Sequence, residues 1–493
     1  MNLSLAYAAP SFIREQSGQS LFSFAPNLKR APVFFEGGLR DALSVRDALL
    51  CLHDVVQSNF DTRLTASDWD RILDPVATVA RDQLFFEAFS GDESSYGRVA
   101  VRPGALQNIE RWESGTTNVD FTPQLAGAIG TIRSDKDAHF QVDPEAFEVT
   151  TESQSRRERK VKLPPSWLRG FLNVQSAMTG ELDSFELGRA DARNLLAFLK
   201  SHKETFGPRA LVFHLKPGQK VEAVFEPWNH KMVLTSSVYH GDKEAEVRVF
   251  GRRRLFLLNR ILPKAKRLRV FLSGSGLPSF WLADLNDDVQ FQLAISGWTT
   301  RPFAASGLHL SEAQTPLAAD VVRRARESLR ADEAMDAEAL TRALNIVPGD
   351  ARRALTLLCA QGQAMYDLDV RAYRKREVVD VPLDDLGMVG DPKRLTDARA
   401  LVAQGKVKVE SEVASPFSTQ VRGVVSGTRG DYQTSVTLDS EGKIVDADCE
   451  CAWFEHNALR GGPCKHILAL REAVTNAATD VAPKSEEWWA TLV

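Results

Sequence analysis

The stretch from Cys449 to His466, CECAWFEHNALRGGPCKH, holds three of the chain's five cysteines and two of its nine histidines. It follows the pattern C-x-C-x12-C-x-H through Cys449, Cys451, Cys464 and His466. Two thiolates one residue apart at the end of a strand converge on one point when the chain turns. Cys464 and His466 reach the same point from the first turn of a following helix, CKHILALREAV. Gly461, Gly462 and Pro463 suit the tight turn that delivers Cys464 there. Three soft thiolates and one imidazole match tetrahedral Zn²⁺. Such a set fills every coordination position and leaves none for a catalytic water, so the spacing predicts one structural Zn²⁺.

Two other readings of the cluster are weaker. Reduced cysteines crowded without a metal have no reason to keep this spacing, and a histidine among three cysteines is unusual for a simple iron–sulfur cluster. His456 lies between the two pairs as an alternative to His466. The remaining cysteines, Cys51 in DALLCLHDVV and Cys359 in ALTLLCAQG, sit in apolar runs that suit small core residues. A disulfide framework does not fit this distribution, and a reducing cytoplasm is the expected location.

With 493 residues, 43% of them hydrophobic and 26% charged, the chain has room for two to four domains with sizeable cores. No apolar run reaches the roughly 18–20 residues of a membrane span. MNLSLAYAAPSF lacks the basic and apolar regions of a signal peptide. A net charge of −4 excludes a global attraction to nucleic acid or anionic membrane. Residues 1–305 read as an α+β region with room for two subdomains. A helix begins near Ser44, which is a plausible N-cap. Strand-like runs follow, among them GRVAV, AHFQV, RALVFHL, KVEAVFE, RLRVFL, SFWLADL and VQFQLAI, with a basic helix at RRRLFLLNRIL. Neither a βαβ rhythm nor a phosphate loop is visible. TESQSRRERKVK, from Thr151, is a polar loop or exposed hairpin.

From Ser311 the pattern becomes helical. PLAADVVRRARESL aligns Ala318, Val322, Ala325 and Leu329 on one face, MDAEALTRALNI is capped by Asp336, and VPGDARRALTLLCAQG carries Pro348 in its first turn and Gly362 at its end. Two strand-like pieces, QAMYDL and AYRKREVV, complete an order that resembles a winged helix-turn-helix domain over residues 311–379. That resemblance puts Arg352 and Arg353 on a recognition helix, and Arg374 and Lys375 on or beside a wing. These four are the candidate nucleic-acid contacts. Winged helices also dock proteins, and Asp332, Glu333, Asp336 and Glu338 nearby favour that role.

After an acidic linker, VPLDDLGMVGD, residues 391–475 combine a helix and alternating strands with the cysteine cluster, and residues 476–493 form a tail that carries Trp488 and Trp489. Cys449, Cys451, Cys464 and His466, with PCKHILAL and the preceding strands, resemble a SWIM-type zinc finger of ββα form. Segments such as DPVATV, FFEAFSGDESSYGR and GTTNVDF extend a looser similarity to bacterial SWIM zinc-finger proteins. That group is associated with MoxR-type AAA+ ATPases and von Willebrand factor A-domain proteins. The resemblance implies an adaptor or scaffold acting through protein contacts, with DNA binding by the winged helix and finger as the alternative. Around the finger, Lys443, Arg460, Lys465 and Arg471 face Glu441, Asp446, Asp448, Glu450, Glu455 and Glu472, a poor supply of cations for phosphates.

No catalytic constellation assembles, so the chain is expected not to be an enzyme. Glu87, Asp92, Glu93 and Ser94 have no histidine near them in sequence and suit a capped loop. His53, His202, His214, His230 and His240 lack metal spacing.

Overall fold

The computed structural model describes residues 12–16, 19–23, 33–59, 75–118, 121, 123–142, 147–151, 165–180, 182–203, 209–273, 278–296, 303, 317–377, 392–414, 418–439, 444–457 and 463–480. The acidic linker, most of TESQSRRERKVK, and the tail with Trp488 and Trp489 lie outside them. The chain divides into two compact units. Residues 1–304 and 309–389 form one, and 390–493 with 305–308 form the other. The architecture mixes helices with several sheets, and the cysteine cluster sits in the second unit.

The first unit is built on antiparallel sheets of six, eight and four strands. Its first long helix, α1 (Ala42–Gln57), is capped by Asp41, whose carboxylate accepts from the Ser44 backbone N–H at 3.1 Å. The cap therefore falls three residues before the Ser44 expected from sequence, because the aspartate sits where its side chain reaches an unpaired amide of the first turn. RRRLFLLNRIL forms a 3-10 helix over Arg252–Arg260 rather than an α-helix. In the centre of the eight-stranded sheet, β1 (Leu84–Phe89) and β2 (Ser95–Val101) are buried at every position. Such strands are covered on both faces. On one face, a Cβ on Gly97 would stand 2.9 Å from Leu52 Cδ1 and 3.2 Å from Val55 Cγ2 of α1, so the glycine gives these side chains of the helix room against the strand. The other face carries Phe85, Glu87, Arg98 and Ala100, paired across β1 and β2 as Phe85 with Ala100 and Glu87 with Arg98.

That second face is met by α2 (Pro165–Met178) and by residues 317–377. The latter comprise α3 (Ala319–Asp332), β3 (Ala334–Met335), α4 (Ala337–Leu344), α5 (Pro348–Ala360), β4 (Ala364–Asp367) and β5 (Ala372–Lys375). The three strands form one antiparallel sheet with β5 in the middle. Ala325, Leu329, Leu340, Leu355 and Leu358 fill the core between the helices. Asp336 caps α4 by accepting from the Ala339 N–H at 2.6 Å.

Although sequence set this helical stretch apart, it shares a compact unit with the N-terminal region. Met365 packs with Ala80, Phe85 and Ala100. Around that contact the join is made of charges. Asp367 receives Arg98 at 3.0 Å and Arg374 at 2.6 Å, with all three side chains almost wholly buried. Arg374 also holds Asp82 at 2.7 Å, and Arg376 meets Glu87 at 3.2 Å with both side chains 0% exposed. Arg376 lies 4.5 Å over the Phe171 ring, and the Tyr96 hydroxyl donates to Glu87 at 2.6 Å. Arg98 and Arg374 hold the Asp367 carboxyl far below the usual carboxylate range, against the desolvation that would raise it.

In the second unit, α6 (Pro392–Ala403) precedes a four-stranded antiparallel sheet of β6 (Val407–Ala414), β7 (Ser418–Gly427), β8 (Gly430–Asp439) and β9 (Ile444–Cys449), in that spatial order. Two helices follow, α7 (Ala452–Asn457) and α8 (Lys465–Asp480). Along β7 and β8 the residues alternate: Val421, Val425, Val436 and Leu438 are buried, while Arg422 and Gln433 are exposed. The buried row meets Ile467 and Leu470 of α8, whose close approach needs Gly423. A Cβ there would stand 2.9 Å from Leu470 and 2.4 Å from the Lys408 carbonyl.

Candidate metal centre

Cys449 closes β9, Cys451 immediately precedes α7, and Cys464 and His466 straddle the start of α8. Their ligand atoms all lie within 4.8 Å of one another, and all four residues are buried. His466 turns Nδ1 toward the sulfurs, 3.8 Å from Cys449 Sγ and 3.9 Å from Cys464 Sγ. Tetrahedral bonds of about 2.3 Å to sulfur and 2.0 Å to nitrogen would bring such atoms to about 3.6 Å. The imidazole nitrogen thus lies within a few tenths of an ångström of that spacing from two of the sulfurs.

The electrostatics also ask for a cation. Cys449, hydrogen-bonded by Cys464 with help from His466 and Thr434, is pushed down to about 4. The same contact with Cys449, with burial added, drives Cys464 far up, and burial raises Cys451. Three thiols this close cannot all ionise alone, whereas a divalent ion lets them. Two of the sulfurs are further stabilised as helix caps. Cys451 Sγ accepts from the Phe454 N–H at 3.4 Å, and Cys464 Sγ accepts from the Ile467 N–H at 3.5 Å. Each sulfur thus meets the positive end of the helix it starts.

The donor set, its burial and its compactness fit Zn²⁺. Residues 432–473 match the family model of the SWIM zinc finger. The cluster is a structural zinc site. His456, the alternative ligand, is exposed on α7 with Nδ1 2.8 Å from the Ala452 carbonyl, and among the described residues it does not join the cluster.

No curated protein matches the chain. Among solved structures, one similar chain is the proliferating cellular nuclear antigen of Entamoeba histolytica. The identity is 10% and the TM-score 0.38, over 53% of this chain and 98% of that one. No described helix is long and apolar enough to cross a membrane.

The four candidate nucleic-acid contacts do not form one set. Arg352 is exposed on α5, and Arg353 pairs on the same helix with Asp350. Lys375 is 3.6 Å from Glu333. Arg374 is 3% exposed and turned inward onto Asp367 and Asp82, so its reading as a nucleic-acid contact on or beside a wing is corrected. The reason is the apolar patch around Met365, which draws the β4–β5 hairpin onto the large sheet and makes its arginine pair there. The loop of Asp92, Glu93 and Ser94 is a turn closed by its own side chains. The Asp92 carboxylate accepts from Ser90 Oγ at 2.6 Å and Ser94 Oγ at 2.7 Å. Glu87 is the buried partner of Arg376.

Sequence reasoning did not find Arg98 and Asp367 as partners, nor Tyr432 and Thr434 as neighbours of the zinc ligands. The one available signal for the first pair was the charge of Arg98 inside an otherwise apolar strand, GRVAV.

Proposed function

We propose that the protein is a non-enzymatic, zinc-dependent adaptor whose SWIM finger docks a protein partner. In this reading, residues 317–377 are a winged-helix-like module that serves as a rigid part of the scaffold. The observation that carries it is the fate of the hairpin cations. Arg374 and Arg376 are neutralised by Asp82, Asp367 and Glu87 inside the first unit, and Lys375 lies beside Glu333. A DNA-reading wing needs such cations free for phosphates. The finger adds few of its own, and β9 presents the exposed Asp448, with Glu450 just beyond it.

Similarity to bacterial SWIM proteins makes a MoxR-type AAA+ ATPase or a von Willebrand A-domain protein the first partner to test in this cytoplasmic scaffold role. Affinity isolation of the intact chain, with and without Cys464→Ser, is the direct experiment. A partner retained by the zinc-loaded protein and lost with the variant supports docking through the finger. The alternative is DNA binding through Arg352, Arg353 and the finger, which Arg352 keeps open by its exposure. A salt titration against duplex DNA separates the two. Affinity tighter than about 1 μM at physiological salt, falling steeply as salt rises, overturns the adaptor reading, because nonspecific binding lies at about 10⁻⁴–10⁻⁶ M.

A further inference from the structure

The β7–β8 hairpin does more than support the finger's sheet. Gly427 pairs with Gly430 at its tip, and Gly430 has φ +144, a backbone conformation that favours glycine. Just past the tip, the Tyr432 ring stacks on the His466 imidazole, with centroids 4.5 Å apart and planes 27° apart. On the other side of the tip, Gly427 faces both rings. A Cβ at this position would stand 2.8 Å from the Tyr432 ring and 3.0 Å from His466 Nε2. Two residues on from Tyr432, Thr434 is buried with its hydroxyl 3.5 Å from Cys449 Sγ and 3.2 Å from the Tyr432 carbonyl.

We propose that Gly427, Tyr432 and Thr434 are positioning residues for the zinc site. Tyr432 sets the plane of the His466 ring so that Nδ1 faces the three sulfurs. Gly427 leaves the room that the other edge of the imidazole occupies. Thr434 places its hydroxyl beside the Cys449 sulfur, its one proton shared between that sulfur and the Tyr432 carbonyl. Residues around metal ligands fix ring orientation and ligand basicity in this way, and their loss typically costs about 10–100-fold in metal affinity. The tyrosine acts here through its ring face, since its hydroxyl takes no part in the stack. Gly427→Ala acts through space, because the Tyr432 ring cannot withdraw from a new methyl without leaving the imidazole.

The test uses the full chain. Zinc affinity is measured by competition with a chromophoric chelator, and the ligand field by the visible spectrum of the Co²⁺-loaded protein. Tyr432→Phe should bind zinc within about twofold of the parent, while Tyr432→Leu and Gly427→Ala should lose about 10–100-fold. Those two should also shift the cobalt bands. Amide protection of β7 and β8 at saturating zinc should stay unchanged. Parent-like affinity in Tyr432→Leu would overturn the proposal. An equal loss in Tyr432→Phe, or a loss with unshifted cobalt bands and an unprotected sheet, would mean that the hairpin contributes only to folding.

Discussion

The β4–β5 hairpin and the zinc finger both bury charged or ionisable groups, yet they neutralise them by different means. In the hairpin, protein partners do it: Asp367 lies between Arg98 and Arg374, and Glu87 meets Arg376. In the finger, three sulfurs crowd together with only one imidazole, and the compensating charge is the metal's. Buried ion pairs contribute little net stability, but removing one partner is costly because the other is left charged in a medium that cannot solvate it. A metal centre concentrates the whole contribution in one ion. The first unit should therefore respond to acid and to substitution of a single charge, and the second to chelation.

The largest expected effect lies in the finger, where zinc binding contributes on the order of 10 kcal/mol at neutral pH. A strong chelator should remove amide protection from β6–β9 and α8 while α1, β1 and β2 stay protected, as read by hydrogen exchange. Protection lost evenly through both units would break the comparison. Metal analysis after dialysis should give one zinc per chain in the parent and none in Cys464→Ser.

Next in size is the hairpin. Asp367→Ala leaves Arg98 and Arg374 buried without their shared carboxylate, and should destabilise the first unit by about 3–5 kcal/mol in denaturant unfolding. Zinc content should not change. The same residue sets a pH response. Its carboxyl is held below its unfolded value, so its contribution is complete above about pH 4 and fades as the pH falls further. Asp367→Ala should therefore flatten the acid limb of the first unit's stability. A limb as steep as the parent's would place the acid sensitivity elsewhere.

Smaller effects sharpen the boundary between the two kinds of site. Asp336→Ala removes the cap of α4 and should cost about 1 kcal/mol. Arg352→Ala, on an exposed helix surface, should change stability by less than about 0.5 kcal/mol. It should also leave protein-partner retention intact if docking belongs to the finger.

Local chemistry along the chain was enough for the zinc site. Its four ligands are close in sequence, their spacing matches a turn and a first helical turn, and zinc tolerates few other donor sets at that spacing. Helices α3, α4 and α5 were legible for a similar reason, since their apolar periodicity, Asp336 and Pro348 act within a few residues of one another. The destination of Arg374 was not legible. A charged residue on a short strand looks the same whether it faces phosphate, water or a buried aspartate, and its partner Asp82 lies 292 positions away. The pairing of Glu87 and Arg98 across β1 and β2, and the seating of Tyr432 against His466, likewise depend on strand register. Spacing within one segment determines a metal centre, but the burial of a charge depends on which distant surface covers it, and only the tertiary structure decided that.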